Sequence, residues 1–150
     1  MITRSYREDP ENPRLPLEYA RLCLEDGQAE RAEQLLQQLP RELREQPQVL
    51  ALQALVELTR SISGAPAIEE LEAALKTDPK LKQTRFQLAA RQTLAADYDQ
   101  ALENFLELLK QDRNYGEGAA QRGLLAVFGV LGDEDERVTR YRRQMFALLH

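Results

Sequence analysis

The sequence predicts an all-α fold, an α-solenoid of about three helical hairpins followed by a divergent C-terminal helix pair. Three observations lead there. The 150 residues are rich in Ala, Leu, Glu, Gln and Arg, which are good helix formers, whereas Trp is absent and β-branched residues are sparse. Three stretches superpose: EYARLCLEDGQAERAEQLL (18–36), QALVELTRSISGAPAIEELEAAL (53–75) and QLAARQTLAADYDQALENFLELL (87–109). Within them, small residues recur at Ala20, Ala54 and Ala89 and again at Ala32, Ala67 and Ala101, in steps of 34 or 35. A large apolar residue follows each of the second set by four positions: Leu36, Leu71 and Phe105. A helix–turn–helix unit accounts for both the period and the inner spacing. The first small residue lets two helices approach, the second admits the next helix, and the large side chain fills the gap.

Taken in order, helices are expected at about 14–26, 29–39, 47–60, 66–76, 80–95, 98–111, 117–131 and 134–149. Asn12–Pro13 and Asp78–Pro79 each pair an N-cap residue with a proline at the first helical position. Gly27 stands where a C′ glycine ends a helix. The second unit carries one extra residue near SISGAP (61–66). Gly123 lies 34 residues beyond Ala89, so the helix around it reads as another first helix of a pair. Its partner departs, because 34 residues beyond Ala101 stands Asp135. The last helix opens at GDEDE (132–136), where Asp133 is the expected cap and the acids suit the positive helix end. A larger side chain at Ala101 is expected to overpack, and one at Ala119 or Ala120 to be better tolerated. Residues 1–11 are read as a linker and 12–150 as one repeat domain, with repeats at about 13–46, 47–80 and 81–114 and the C-terminal pair at 117–149.

Composition removes several functional classes. With 43% apolar and 30% charged residues, this is the make-up of an ordinary water-soluble domain. The longest apolar run, LLAVFGVL (124–131), is too short to span a bilayer, and MITRSYREDPENPR has no apolar core of a secretory signal. The formal charge of −5 argues against a nucleic-acid partner. The single cysteine, Cys23, falls in the apolar phase of the first helix and reads as a buried structural thiol. These features suggest a reducing, cytoplasmic setting. The one histidine, His150, is terminal, and no other His or Cys stands at metal-ligand spacing. GEG (116–118) lacks the Lys-Ser/Thr of a phosphate loop. Neither an enzyme nor a cofactor is expected.

The tail RVTRYRRQMFALLH (137–150) is different. It holds four arginines and no acid, so the remaining residues carry −9. At about 100° per residue, Val138, Tyr141, Met145, Leu148 and Leu149 share one face, interrupted by Arg142. Val138, Tyr141 and Met145 are expected to cap the open end of the solenoid. The last turn, from Phe146 on, has little left to pack on and is read as an exposed docking element.

The three stretches resemble the tetratricopeptide repeat, with Leu88, Ala89, Tyr98, Ala101 and Phe105 of the third the best match. The usual aromatic at the start of the first helix is replaced by Pro16 in one repeat and Arg85 in another. The turn glycine is kept only as Gly27 and the closing proline only as Pro79. Some domains of this kind clamp a peptide carboxylate with Lys and Asn. The corresponding positions here, Leu17, Arg21, Phe86 and Ala90, instead suggest a partly apolar groove.

Residues 112–150 are similar to the carboxyl end of the bacterial chaperedoxin family (CnoX/YbbN). Leu131, Gly132, Asp133 and Asp135 match its L-G-[DT]-x-D step. Tyr141, Arg142, Arg143, Phe146, Ala147, Leu148 and Leu149 match its terminal Y-R-R-x-[LM]-[YF]-A-L-L motif. The resemblance implies a thioredoxin fold ahead of this chain, so the chain is expected to be the C-terminal part of a longer protein. It implies a cytoplasmic holdase that binds unfolded client proteins and passes them to a GroEL-type chaperonin. By that resemblance, Tyr141, Arg142, Arg143, Phe146, Leu148 and Leu149 would bind the chaperonin. A scaffold for one specific peptide or protein partner is the alternative.

Overall fold

The computed structural model describes residues 14–150. Among them all regular structure is helical: α1 (Arg14–Glu25), α2 (Ala29–Gln37), α3 (Arg41–Arg44), α4 (Pro47–Ser61), α5 (Ile68–Thr77), α6 (Lys82–Leu94), α7 (Tyr98–Gln111), a 3-10 turn (Tyr115–Glu117), α8 (Ala119–Leu131) and α9 (Glu136–Leu149). Each expected helix is present. The short α3 was not expected. It is a single turn in which the Pro40 carbonyl accepts from the Leu43 and Arg44 amides. The proposed cap at Asn12–Pro13 lies outside the described residues. The chain divides into two compact units, the first ending at Arg60 and the second running Ser61–His150.

In the first unit α1 and α2 form a hairpin. Ala20 and Ala32 are fully buried, so the periodic small residues sit where two helices approach, and Leu36 fills the gap beside them. The turn is closed by backbone bonds from Gly27 N to Leu24 O (3.0 Å) and Gln28 N to Cys23 O (2.7 Å), with Gly27 at φ +75°. This is a Schellman motif, which requires the left-handed residue at C′ that glycine supplies without strain. Leu17, Cys23, Leu24, Leu39, Val49, Leu52 and Val56 complete the core. Burial pushes the Cys23 thiol up from its ordinary range, against a smaller opposing effect of Arg31. The thiol is therefore packed and un-ionised, not poised for chemistry.

In the second unit α6 and α7 repeat the design. Ala89, Ala101 and Phe105 are fully buried. The same Schellman bonds recur, from Ala96 N to Thr93 O (3.1 Å) and Asp97 N to Gln92 O (2.8 Å), but the C′ residue is Ala96 at φ +63°. An alanine held there is strained by its Cβ. Ala96→Gly is expected to raise stability by about 0.5–1 kcal/mol, read as a higher denaturant midpoint with an unchanged slope.

Repeat two departs from the expected register. Ala67 is exposed as the residue before α5, and Ala54 is only partly buried. The added residue in SISGAP delays the helix start to Ile68 and leaves Ala67 outside it. Asp78 does not cap α6, whose N-cap is Leu81. Asp78 instead ends α5 and turns its carboxylate to the Lys80 amide (3.0 Å). Gln111 and Arg85 both donate to the Pro79 carbonyl, tying this turn to α6 and α7.

The expected fourth first-helix is α8. Its Gly123 packs on Phe105 so closely that an added Cβ would lie 2.3 Å from the ring. Ala119 and Ala120 are 7% and 1% exposed, so a larger residue there also meets packed neighbours. They begin α8 at a point where neighbouring helices already cover it. The turn before α8 is held by Arg122, which donates to the carbonyls of Gly116 (2.9 Å) and Glu117 (2.6 Å).

Candidate protein-binding surface

The last helix is fixed by one narrow stripe. Val138, Tyr141 and Met145 are buried, and α9 packs on α7 and α8. Its N-cap is Asp135, not Asp133. The Asp135 carboxylate accepts from the Arg137 amide (2.9 Å) and from the Arg137 guanidinium (2.8 Å). Those hydrogen bonds, first from the side chain and then from the backbone of Arg137, hold the Asp135 carboxyl at about 2. Arg137 also reaches Asp99 of α7 (3.0 Å).

One turn on, Tyr141 Oη donates to Glu103, four residues beyond Asp99 on α7. Burial, and then the Glu103 bond, push the phenol up to about 12. Two polar contacts at matching helical spacing therefore set the register of α9 along α7, with the stripe between them excluding water.

The four arginines of the tail have separate fates. Arg137 is consumed at the cap. Arg140 lies over the Tyr141 ring at 5.2 Å. Arg142 pairs with Asp133 (3.1 Å) and lies 5.4 Å over the Phe128 ring, so it closes α9 onto the end of α8. Arg143 is exposed and forms no ion pair with a described residue.

The six candidate residues are not brought to one surface. Tyr141, at 3% exposed, is an interior residue, and Arg142 is half-exposed with both its charge and its face engaged. Arg143 is free. Phe146 is 51% exposed and stacks only on His150, ring centres 6.1 Å apart. Leu148 and Leu149 are half-buried. An open patch remains around Arg143 and Phe146, on a helix anchored by its opposite side. It offers one unpaired guanidinium and one aromatic ring, and no nucleophile or paired acid.

The positions expected to line a groove fare differently. Leu17 and Ala90 are buried in their cores, Arg21 is exposed, and Phe86 is half-buried in edge contact with Phe105 (6.1 Å) and beside Tyr115 (6.3 Å). The sequence reading missed a buried polar seam in the α6–α7 hairpin. Arg85, at the position usual for an aromatic, donates to Asn104 (2.9 Å), and Asn104 donates to the buried Gln92 (2.8 Å). The signal was present as an arginine at an expected core position. A buried amide pair of this kind is satisfied only in one register.

No described helix is long and apolar enough to cross a membrane. Two family profiles, both described as tetratricopeptide repeat, match residues 61–150 and 1–56. An uncharacterized protein of Haemophilus influenzae is 26% identical over 142 residues, 95% of this chain. The chain spans 64% of that curated relative's length.

Proposed function

The chain belongs to the tetratricopeptide repeat family, whose members are protein-interaction modules, and from that premise we propose that it is the binding domain of a thioredoxin-like chaperone. In this reading it is a cytoplasmic holdase. It binds unfolding client proteins and docks on a GroEL-type chaperonin through the end of α9. The observation that carries the reading is the division of α9. Val138, Tyr141 and Met145 anchor the helix, which leaves Phe146 half in water beside an unpaired Arg143. A helix needs no such residues at its end to cap a core. An anchored helix with an aromatic and a cation on its free side is preorganised for a partner's groove, which lowers the ordering cost of binding. The motif resemblance of residues 131–149 supports the choice of partner.

Deleting residues 146–150 should abolish co-elution with the chaperonin while the domain stays folded, its circular dichroism melt lowered only by the loss of the half-buried Leu148 and Leu149. Arg143→Glu should weaken the same binding and reduce its salt dependence. Binding that survives the deletion, or a deletion that unfolds the domain, would make α9 a structural cap only. The chain should also slow aggregation of a heat-unfolded protein; complete inactivity at molar excess would remove client holding from it.

A further inference from the structure

A second surface lies at the C-terminal ends of α5 and α7. The sequence LKTD (75–78) recurs as LKQD (109–112), 34 residues on. The structure gives both the same ending. The amides of Asp78 and Asp112 bond to the carbonyls of Ala74 and Leu108, each at 2.9 Å. Each aspartate then turns its carboxylate to an amide two residues on, Lys80 at 3.0 Å and Asn114 at 3.1 Å. Lys76 and Lys110 therefore leave equivalent helix ends one repeat apart, and both are exposed.

The two ends form one surface. Lys82 bonds Asp112 (3.2 Å), Gln111 bonds the Pro79 carbonyl (3.1 Å), and the Phe86 and Tyr115 rings stand 6.3 Å apart across the same junction. Lys80 and Arg113 follow the two aspartates and are exposed. None of Lys76, Lys80, Lys110 and Arg113 forms an ion pair with a described residue. Asp78 and Asp112 do not balance them, because with Lys82 the two turns hold five cations against these two acids. Attraction to the helix C-termini accounts for Lys76 and Lys110. It does not account for Lys80 and Arg113, which lie beyond the helices. In a chain of net charge −5, this is a local excess of unpaired cations, with the exposed Leu81 set among them.

We propose that this edge of the second unit binds an acidic, extended protein segment, with Lys76, Lys80, Lys110 and Arg113 meeting its carboxylates and Leu81 taking an apolar side chain. A peptide suits the site better than a nucleic-acid backbone, because the exposed Leu81 beside the cations offers an apolar contact that a peptide side chain fills and a run of phosphates does not. The surface goes beyond the α9 patch and shares no residue with it.

The test is fluorescence anisotropy of the whole chain with a labelled synthetic peptide of alternating Glu, Asp and Leu. The controls are the same peptide with Gln and Asn in place of the acids, and a single-stranded oligonucleotide of similar charge. The acidic peptide should bind, and binding should weaken as salt is added. Lys76→Glu with Lys110→Glu should weaken it about tenfold or more, Lys76→Gln with Lys110→Gln less so, and Lys76→Arg with Lys110→Arg little. Removing residues 146–150 should leave it unchanged, which separates this proposal from the docking of α9. Equal binding by the charge-reversed protein with an unchanged melt, equal binding of the uncharged peptide, or tighter binding of the oligonucleotide would each overturn it.

Discussion

Gly123→Ala is expected to destabilise the second unit by about 1–3 kcal/mol, although alanine is favoured over glycine in a helix by about 1 kcal/mol. The reason is a single contact. A Cβ at this position would lie 2.3, 2.5 and 2.6 Å from three atoms of the Phe105 ring. Phe105 is fully buried between α6 and α8, so the ring has nowhere to go without displacing its neighbours. The cost is read as a lower denaturant midpoint. Phe105→Leu alone should also destabilise, by loss of packed volume. Combined with Gly123→Ala it should cost less than the two changes added, because the smaller side chain vacates the space the new methyl needs. A stabilising Gly123→Ala, or strict additivity, would show that the α7–α8 contact is not as close as described.

Met145→Ala and Phe146→Ser should separate sharply, although the residues are adjacent. Met145 is buried under α9, and its truncation is expected to cost about 2–5 kcal/mol. Phe146 is 51% exposed, and its replacement should change stability by no more than about 0.5 kcal/mol. If the proposed docking holds, the effects on partner binding run the other way. Phe146→Ser should lose co-elution with the chaperonin while keeping the melt, and a folded Met145→Ala protein at low temperature should retain it. Equal destabilisation by both would place Phe146 in the core. A Phe146→Ser protein that still binds would move the docking contact elsewhere on the chain.

The hairpins were legible because their signals are local and periodic. Helix propensity, an apolar stripe and a small residue at each crossing recur at 34 or 35 residues, and the helices follow them. Where the period slipped, the register failed. The residue added near SISGAP moved Ala67 out of α5, and no propensity marks that shift. The caps were less legible for a related reason. Asp78, Asp133 and Asp135 are chemically alike, and only backbone geometry decides which carboxylate meets which amide. Asp135 caps α9, Asp133 takes Arg142, and Asp78 closes the helix before it instead of opening the next.

On its own, then, the sequence determined that the chain is helical, that its hairpins repeat, and that its tail is an amphipathic cationic helix. Those properties depend on residues within a few turns of one another. The tertiary structure decided which tail residues are available. The motif resemblance places Tyr141 and Arg142 among candidates for a partner. Glu103 on α7 draws Tyr141 inward, and Phe128 and Asp133 occupy Arg142. Arg143 and Phe146 stay open because nothing in the second unit packs on the far side of α9. Burial is a property of what a neighbouring helix brings to the contact, and for α9 that neighbour lies 38 residues back along the chain.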